Sequence, residues 1–318
     1  MTKIIVLDGF ACNPGDLSWD SLGAYGDLTV YDHTASADVI ERIGDADIVC
    51  TNEVQLDDSV FRACPSLQYI GLLATGYDNI DCLAARNRQI VVSNVPGYGT
   101  ESVAQHAFAL ILESCLHVGH HIEQVRSGRW NQNQNYFHED FPLVELHQKT
   151  IGVVGYGRIG QAIARIALGF SMKVLVSSRH PENIDPAAVH AVSLDMLCQR
   201  ADFICLTLPL TEGTRGMVDV NRISQMKPGV VLVNTARGAL VHEDAIIEAL
   251  QTKKISFYAA DVVTVEPIPP GHPFLILENA LITPHLAWAT KESRYRLMDL
   301  AAQNLAMFLA GKPMNVVN

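Results

Sequence analysis

Three side chains with complementary acid–base chemistry lie at or just after the ends of predicted strands: Arg237, Glu266 and His285. An arginine can bind a carboxylate and the keto oxygen beside it through its forked guanidinium. A glutamate bonded to an imidazole favours the protonated ring, which can deliver a proton to that oxygen. Taken singly, a histidine is more often structural and a Glu-Pro is more often a turn. Together, the three predict reduction of a 2-keto acid by hydride transfer.

A glycine-rich loop lies between an apolar strand and a predicted helix, and its sequence is Gly155-Tyr-Gly157-Arg158-Ile159-Gly160. In this context the glycines permit a tight turn, close approach of a pyrophosphate, and close packing of helix on strand. The helix N-terminus then offers N–H groups and partial positive charge to the phosphates. The loop predicts a dinucleotide site, and the alternative is a tight turn without a ligand.

The end of the next predicted strand bears on which dinucleotide is preferred. A site for NAD usually has an acid here, which binds the ribose hydroxyls and would repel a 2′-phosphate. This chain has Ser178 and Arg179 instead. A serine can hydrogen-bond to a phosphate and an arginine can pair with it. We therefore expect NAD(P) with NADPH favoured over NADH; the alternative is a surface arginine beside a permissive serine.

Two α/β units are predicted to position these groups. Short β-rich runs alternate with helical patterns over the first hundred residues, and the same rhythm restarts near residue 150. The turn-rich stretch 94–100 marks the crossing between the units. We expect an α/β fold with two doubly wound, Rossmann-like parallel sheets that face each other across a cleft.

The composition excludes several classes of protein. The 318 residues are 48% hydrophobic, which is enough for two cores, and a net charge of −11 provides no basic face for a nucleic acid. No apolar run has the roughly 18 residues of a membrane span. The seven cysteines lack CxxC spacing and are interpreted as reduced thiols. We expect a cytoplasmic protein without nucleic-acid or membrane partners.

A helix predicted to start at Glu101, with Thr100 as its cap, is apolar on every side over residues 102–112. A helix of this kind is not expected on the surface of a monomer. Burial between the two domains and burial in a subunit interface are both possible explanations. We expect a homodimer that uses this helix.

The same helical pattern continues through three histidines, His117, His120 and His121, which would lie on one face. Their spacing suits metal ligation. However, no carboxylate or thiol partner is evident in the sequence, so no metal is predicted.

Four motifs occur along the chain in a fixed order: the glycine loop, NTARG ending at Gly238, an aspartate followed by Glu266-Pro267, and a Thr-Pro pair before His285. In this order the chain resembles the D-isomer-specific 2-hydroxyacid dehydrogenase family over essentially its whole length. The family's first domain is closed by the C-terminal helix. The resemblance therefore implies a substrate domain of residues 1–99 plus 291–318 and a dinucleotide domain of residues 100–290.

The resemblance also implies roles for individual residues. Arg237 would bind substrate, Glu266 would orient and charge His285, and His285 would be the acid/base. The backbone around Ala74, Thr75 and Gly76 would take the substrate carboxylate, and Asp261 would contact the nicotinamide carboxamide. Further cofactor contacts are implied at the loop residues named above and at Thr100, Thr207, Pro209 and Ala236.

Within the family, the chain is most similar to the glycerate dehydrogenase, or hydroxypyruvate reductase, group at residues 103–108, 145–150 and 285–290. This implies reduction of a small 2-keto acid, hydroxypyruvate or glyoxylate, to a D-2-hydroxy acid. Trp288 would line the substrate pocket or reach across a dimer, or it is a packed core tryptophan. Glu53 departs from the lysine that is usual in this group, which leaves the substrate open.

Two other functions compete with this interpretation. A nucleotide-sensing protein similar to the corepressors of this fold would retain much of the site, although such proteins generally carry additional tails. A D-lactate-type dehydrogenase would differ only in substrate. Formate dehydrogenase resembles the fold but has glutamine in place of the acid, so Glu266 argues against it.

Overall fold

The computed structural model describes residues 1–132, 141–184 and 189–318. They divide into two compact units, Met1–Gly99 with Trp288–Asn318, and Thr100–Ala287. Each unit is an α/β structure built on a parallel sheet, which confirms the predicted fold class. Among the residues so described, none of the helices combines the length and apolar character needed to span a bilayer.

The first unit has a five-stranded parallel sheet in the order β2-β1-β3-β4-β5. Its strands are β1 (Lys3–Val6), β2 (Asp27–Val30), β3 (Ile48–Thr51), β4 (Tyr69–Leu72) and β5 (Val91–Ser93). Its helices are α1 (Asp20–Gly23), α2 (Val39–Ile43), α3 (Asp58–Ala63), α4 (Cys82–Asn87) and, from the end of the chain, α12 (Lys291–Leu309).

The second unit has a seven-stranded parallel sheet in the order β12-β11-β10-β9-β6-β7-β8. Its strands are β6 (Thr150–Val154), β7 (Lys173–Ser177), β8 (His190–Ala191), β9 (Phe203–Leu206), β10 (Val230–Asn234), β11 (Ile255–Ala260) and β12 (Ala280–Ile282). Its helices are α5 (Thr100–Leu116), α6 (Val118–Arg126), α7 (Arg129–Gln132), α8 (Arg158–Gly169), α9 (Leu194–Arg200), α10 (Val220–Gln225) and α11 (Glu243–Gln251).

The burial of the central strands explains why this architecture can be predicted from the sequence. Every residue of β3, β4, β9 and β10 is buried, because helices cover both faces of a parallel sheet. Such strands appear in the sequence as largely continuous apolar runs. The exception is β8, whose two residues are exposed and give no apolar signal.

Helix α5 is buried within its own unit. Its apolar side chains, including Ala104, Phe108 and Ile111, belong to a hydrophobic core shared with β6 and α8. The apolar character of α5 is therefore explained without a partner. This finding removes the observation from which the homodimer was predicted, and the dimer itself stays a prediction.

The predicted continuation of this helix through the three histidines is wrong. Helix α5 ends at Leu116, and His117 has a φ of 48°, in the left-handed region, before α6 begins at Val118. A left-handed residue interrupts the helical periodicity. His117 is therefore not on one helical face with His120 and His121. The arrangement for which metal ligation was considered, three histidines on one face of one helix, is not formed.

Candidate active site

The carboxyl ends of β6 and β9 form the point at which the strand order of the second sheet reverses. Ligands of doubly wound sheets bind in the crevice at such a point. Gly155 follows β6 with a φ of 95°, and a Cβ on it would lie 2.8 Å from the carbonyl oxygen of Thr207. The Thr207 hydroxyl donates to the carbonyl oxygens of Val154, at 3.1 Å, and Gly155, at 2.6 Å. The glycine turn is therefore fixed against the end of β9.

The glycine loop has the space and polarity that a pyrophosphate requires. A Cβ on Gly157 would meet no heavy atom within 4 Å, whereas a Cβ on Gly160 would lie 2.2 Å from the carbonyl oxygen of Gly155. Helix α8 starts after Gly157, and within the described chain no side chain caps its N-terminus. In the described residues its first N–H groups thus have no capping side chain, and there is room at the neighbouring Gly157. These features fit a dinucleotide bound at the helix N-terminus.

The other residues predicted to bind cofactor lie at the same edge or near it. Thr207 follows β9, Pro209 lies two residues further, and Ala236 follows β10. Thr100 is the first residue of α5, so the helix starts one residue before the predicted start at Glu101. Their contacts with a cofactor stay predictions.

Ser178 and Arg179 follow β7 directly. Ser178 is half-buried, and its hydroxyl oxygen accepts the backbone N–H of His180 at 3.1 Å. Arg179 is exposed. The imidazole of His180 lies 3.2 Å from the Glu182 carboxylate. Ser178 keeps its own hydroxyl hydrogen for donation, which is compatible with the predicted 2′-phosphate contact.

Glu266 and His285 form the central pair of the site. The Nδ1 atom of His285 lies 2.7 Å from Oε2 of Glu266, and both side chains are about one-third exposed. Burial lowers the pKa of His285, but the hydrogen bond and charge of Glu266, together with the charge of Asp261, outweigh it, so the pKa is raised. Burial raises the pKa of Glu266, but its bond to His285 and the charges of His285 and Arg237 leave it lowered. The pair thus favours imidazolium beside carboxylate.

The second oxygen of Glu266 is fixed by its own loop. Oε1 accepts the backbone N–H of Val263 at 3.0 Å. The neighbouring N–H, of Thr264, donates to the Glu243 carboxylate at 2.7 Å. A Cβ on Gly238 would lie 2.0 Å from the carbonyl carbon of Val263, so the turn after Arg237 packs directly on this loop. The backbones that carry Arg237 and Glu266 are therefore held together.

The turn that carries Arg237 is closed by a buried amide. Asn234, the last residue of β10, is fully buried, and its Nδ2 donates to the Arg237 carbonyl oxygen at 2.9 Å. Its Oδ1 accepts the backbone N–H of Ala236 at 3.1 Å, and the Arg237 guanidinium donates to the Ala236 carbonyl oxygen at 2.9 Å. Arg237 thus lies at the carboxyl edge, and its charge acts on both Glu266 and His285.

Asp261, at the end of β11, holds the segment that carries His285. It is 1% exposed, and its carboxylate accepts the backbone N–H groups of Leu286, at 3.0 Å, and Ala287, at 2.8 Å. Its carbonyl oxygen accepts the N–H of His285 at 2.9 Å. His285 has a φ of 52°, which is unfavourable for a residue with a side chain and must be maintained by such contacts. The predicted contact of Asp261 with a nicotinamide stays a prediction.

The first unit has a carboxylate where its own strand order reverses, at the ends of β1 and β3. Asp8 accepts the backbone N–H groups of Asn52, Glu53 and Val54 at 2.8, 2.6 and 3.2 Å, and the Thr51 hydroxyl at 3.1 Å. This network fixes the backbone of Glu53, whose side chain is exposed. The crevice of the first sheet is thus filled by the protein's own anion.

The predicted substrate loop follows β4 in the same unit. The Ala74 carbonyl oxygen accepts the N–H of Val95 at 2.9 Å, and the Thr75 hydroxyl donates to the Val95 carbonyl oxygen at 2.8 Å. The Asn94 amide donates to the Thr75 carbonyl oxygen at 2.7 Å. The backbone leading to Gly76 is therefore well fixed, and its role toward a substrate carboxylate stays a prediction.

Trp288 lies in the first unit. Its ring meets that of Tyr98 edge to face, with centroids 6.2 Å apart, and it packs on the core that contains Leu297. This packing corresponds to the core tryptophan that the sequence left open. A role in lining a substrate pocket stays a prediction.

Several residues that support the site were not among the predicted site residues: Asn234, Glu243, Thr283, His106 and Asp8. A polar residue that ends an otherwise apolar strand, as Asn234 does, is the one signal that sequence offers for such a role. The others act through hydrogen bonds to groups that are distant in sequence, which no local pattern encodes.

Comparisons with known proteins agree with this geometry. The model of the family described as D-isomer specific 2-hydroxyacid dehydrogenase, NAD binding domain, matches residues 108–287. A hydroxypyruvate reductase from Blautia hydrogenotrophica is 47% identical over 99% of both chains. A glycerate dehydrogenase from Methylorubrum extorquens is 34% identical over 88% of both. The crystal structure of an NADPH-dependent glyoxylate/hydroxypyruvate reductase from Sinorhizobium meliloti is 28% identical, with a TM-score of 0.86 over 100% of this chain and 98% of that one.

Proposed function

Since the chain belongs to the D-isomer-specific 2-hydroxyacid dehydrogenase family, we propose that it reduces hydroxypyruvate and glyoxylate to D-glycerate and glycolate with NAD(P)H. The observation that carries this proposal is the Glu266–His285 pair, at 2.7 Å, on the sheet edge that also bears the glycine loop. The activity of the named relatives supports the choice of substrate. The two alternatives, a corepressor-like binding protein and a D-lactate-type dehydrogenase, are not favoured by these relatives.

Each residue of the pair has a distinct part in the proposed reaction. When bound, the reduced nicotinamide supplies the hydride that adds to the keto carbon. His285, held as imidazolium by Glu266, delivers a proton from Nε2 to the keto oxygen. Glu266 keeps the proton on Nδ1 and compensates the positive charge of the ring. Arg237 binds the substrate carboxylate and polarises the keto group through its charge.

The glycine loop would hold the cofactor. The open space at Gly157 and the uncapped start of α8 suit a pyrophosphate. We also propose that NADPH is preferred over NADH, because the residue after β7 is Ser178 and not an acid, and Arg179 follows it. The exposed Arg179 is free to approach a 2′-phosphate from solvent. We keep the cytoplasm as the expected location of the enzyme.

The substrate proposal is tested with a panel of keto acids and both reduced cofactors. We expect kcat/KM to be highest for hydroxypyruvate and glyoxylate, and lower for pyruvate and for branched or aromatic keto acids. The product from hydroxypyruvate should be the D isomer by chiral chromatography. Formation of L-glycerate, or a preference for the bulky substrates, would overturn the proposal.

The cofactor preference is tested by combining Ser178→Asp with Arg179→Ala. A charge-assisted hydrogen bond contributes about 1.5–3 kcal/mol, and because Arg179 is exposed we take the lower end, roughly tenfold in affinity. The double variant should therefore reverse the preference, mainly through KM. Arg165→Ala, which removes another exposed arginine of the same unit, should change neither KM. Wild-type enzyme that uses NADH equally well or better would refute the role of Arg179.

A further inference from the structure

Helix α5 contacts the segment that carries His285 at two points one helical turn apart. The Ser102 hydroxyl donates to the carbonyl oxygen of Ala287 at 2.5 Å. Nε2 of His106 lies 2.9 Å from the hydroxyl oxygen of Thr283 and 3.5 Å from Oδ1 of Asp261. These contacts all lie within the second unit. They bind both ends of the segment 283–287 to one rigid element.

The direction of these hydrogen bonds follows from the donors and acceptors present. The Thr283 hydroxyl lies 2.6 Å from Oδ1 of Asp261, and an ionised carboxylate can only accept. The single hydroxyl hydrogen of Thr283 is thus directed to Asp261. Thr283 must then accept in its contact with His106, so Nε2 of His106 carries a hydrogen. The result is a chain of donors that runs from His106 through Thr283 to Asp261.

This chain ends on the backbone of His285. The same Oδ1 atom of Asp261 that accepts from Thr283 also accepts the N–H of Leu286, and Oδ2 accepts that of Ala287. Together with the bond from the His285 N–H to the Asp261 carbonyl oxygen, these bonds hold the left-handed conformation of His285, whose φ is 52°. A small rotation there would move the imidazole away from Glu266 and from the position of the keto oxygen.

We propose that His106 is a positioning residue for catalysis: as an Nε2–H donor it orients Thr283 and Asp261, and through them fixes His285 for proton transfer. The inference rests on the proposed function, in which His285 delivers the proton. In this proposal His106 acts through Thr283 and Asp261 and not directly on the substrate or the reacting atoms. Only 17% of the His106 side chain is exposed, so the surrounding protein restricts the imidazole to the position from which Nε2 contacts Thr283.

The test compares His106→Gln with His106→Leu. The amide nitrogen of glutamine can replace Nε2 as a donor, and leucine cannot. Misplacement of a reacting group by about 1 Å can cost roughly 10²-fold in rate, and a smaller shift correspondingly less. We expect His106→Leu to lower kcat about tenfold or more with little change in KM for NAD(P)H, and His106→Gln to restore most of it. Gln105→Leu, on the exposed side of the same helix, should leave kcat unchanged.

Two results would overturn the inference: equal loss of kcat in both His106 variants, or wild-type kcat in His106→Leu. If His106→Leu does not fold, as judged by thermal melting, the inference is tested by the kcat of His106→Gln and by the tautomer of His106 in the wild-type enzyme. Nitrogen-15 NMR of the wild-type imidazole should show the hydrogen of neutral His106 on Nε2, and a hydrogen on Nδ1 alone would contradict the chain. This measurement needs no turnover, so it remains decisive if the enzyme reduces none of the keto acids and the proposed function itself fails.

Discussion

Glu266→Gln removes the charge of the carboxylate while keeping the shape of the side chain. Glutamine keeps one acceptor oxygen, which can take the place of Oε2 toward Nδ1 of His285, whereas the amide nitrogen that replaces Oε1 cannot accept the N–H of Val263. The variant thus loses one bond to its loop and, above all, the negative charge that raises the pKa of His285. The pKa of His285 should therefore fall in the variant.

The sign of the pH dependence follows from the raised pKa. Reduction needs His285 protonated, so kcat is full at low pH and falls as pH rises through the pKa of His285 in the enzyme. In Glu266→Gln this alkaline fall should occur at lower pH. The charged hydrogen bond contributes about 1.5–3 kcal/mol, and its exposure of about one-third favours the lower end, which is roughly tenfold in kcat near neutral pH.

The assay is the pH dependence of kcat with saturating hydroxypyruvate and NADPH. The difference between wild type and Glu266→Gln should narrow toward acidic pH, where the ring is protonated in both. Oxidation of D-glycerate needs the neutral ring of His285. Its rate should therefore rise with pH, and in Glu266→Gln this rise should occur at lower pH. Glu248→Gln, an exposed carboxylate on α11, is the control and should change nothing. An alkaline limb that does not move in Glu266→Gln would refute the pairing as the source of the raised pKa.

The remaining predictions concern proton delivery and backbone packing. His285→Ala should lower kcat roughly 10²–10⁴-fold with an unchanged Kd for NADPH by fluorescence titration; near-normal turnover would remove His285 from catalysis. Gly157→Ala should keep the wild-type Tm, because its Cβ would meet no protein atom within 4 Å. It should weaken cofactor binding, because the Cβ would occupy the space proposed for the pyrophosphate. Gly160→Ala should instead lose about 1–3 kcal/mol of stability through its 2.2 Å approach to Gly155, and the reverse order in melting and titration would contradict the assigned loop. Gly238→Ala should lower both Tm and kcat, since its Cβ would collide with Val263 at the base of the Glu266 loop; unchanged kcat would show that this packing does not support Glu266.

The fold could be predicted from the sequence because its signals are local. Buried parallel strands such as β9 consist of apolar residues only, and turn formers separate them from the helices. The break at His117 could not be predicted, because a left-handed histidine has no distinctive residue type and the helical pattern runs through it. Likewise, the apolar composition of helix α5 indicates that its faces are covered, but it does not indicate whether another domain, another subunit or its own unit covers them.

The site divides in the same way. Arg237, Glu266 and His285 were identifiable because each side chain follows a strand end, and parallel strands bring their carboxyl ends to one edge. Supporting residues such as His106 and Glu243 were not, because their partners are distant in sequence: His106 lies 177 residues from Thr283. A buried polar side chain that binds remote backbone is seen only once the chain has folded.

The two sheets of this chain have similar winding, yet different groups lie where their strand orders reverse. In the second sheet the loop at Gly157 leaves N–H donors and space. In the first, Asp8 already occupies the N–H groups of Asn52, Glu53 and Val54. A pyrophosphate arriving there would compete with an anion that is covalently part of the protein and would be repelled by its charge. We therefore expect one dinucleotide per chain, bound at the second sheet, with the Asp8 carboxylate disfavouring a second one at the first sheet.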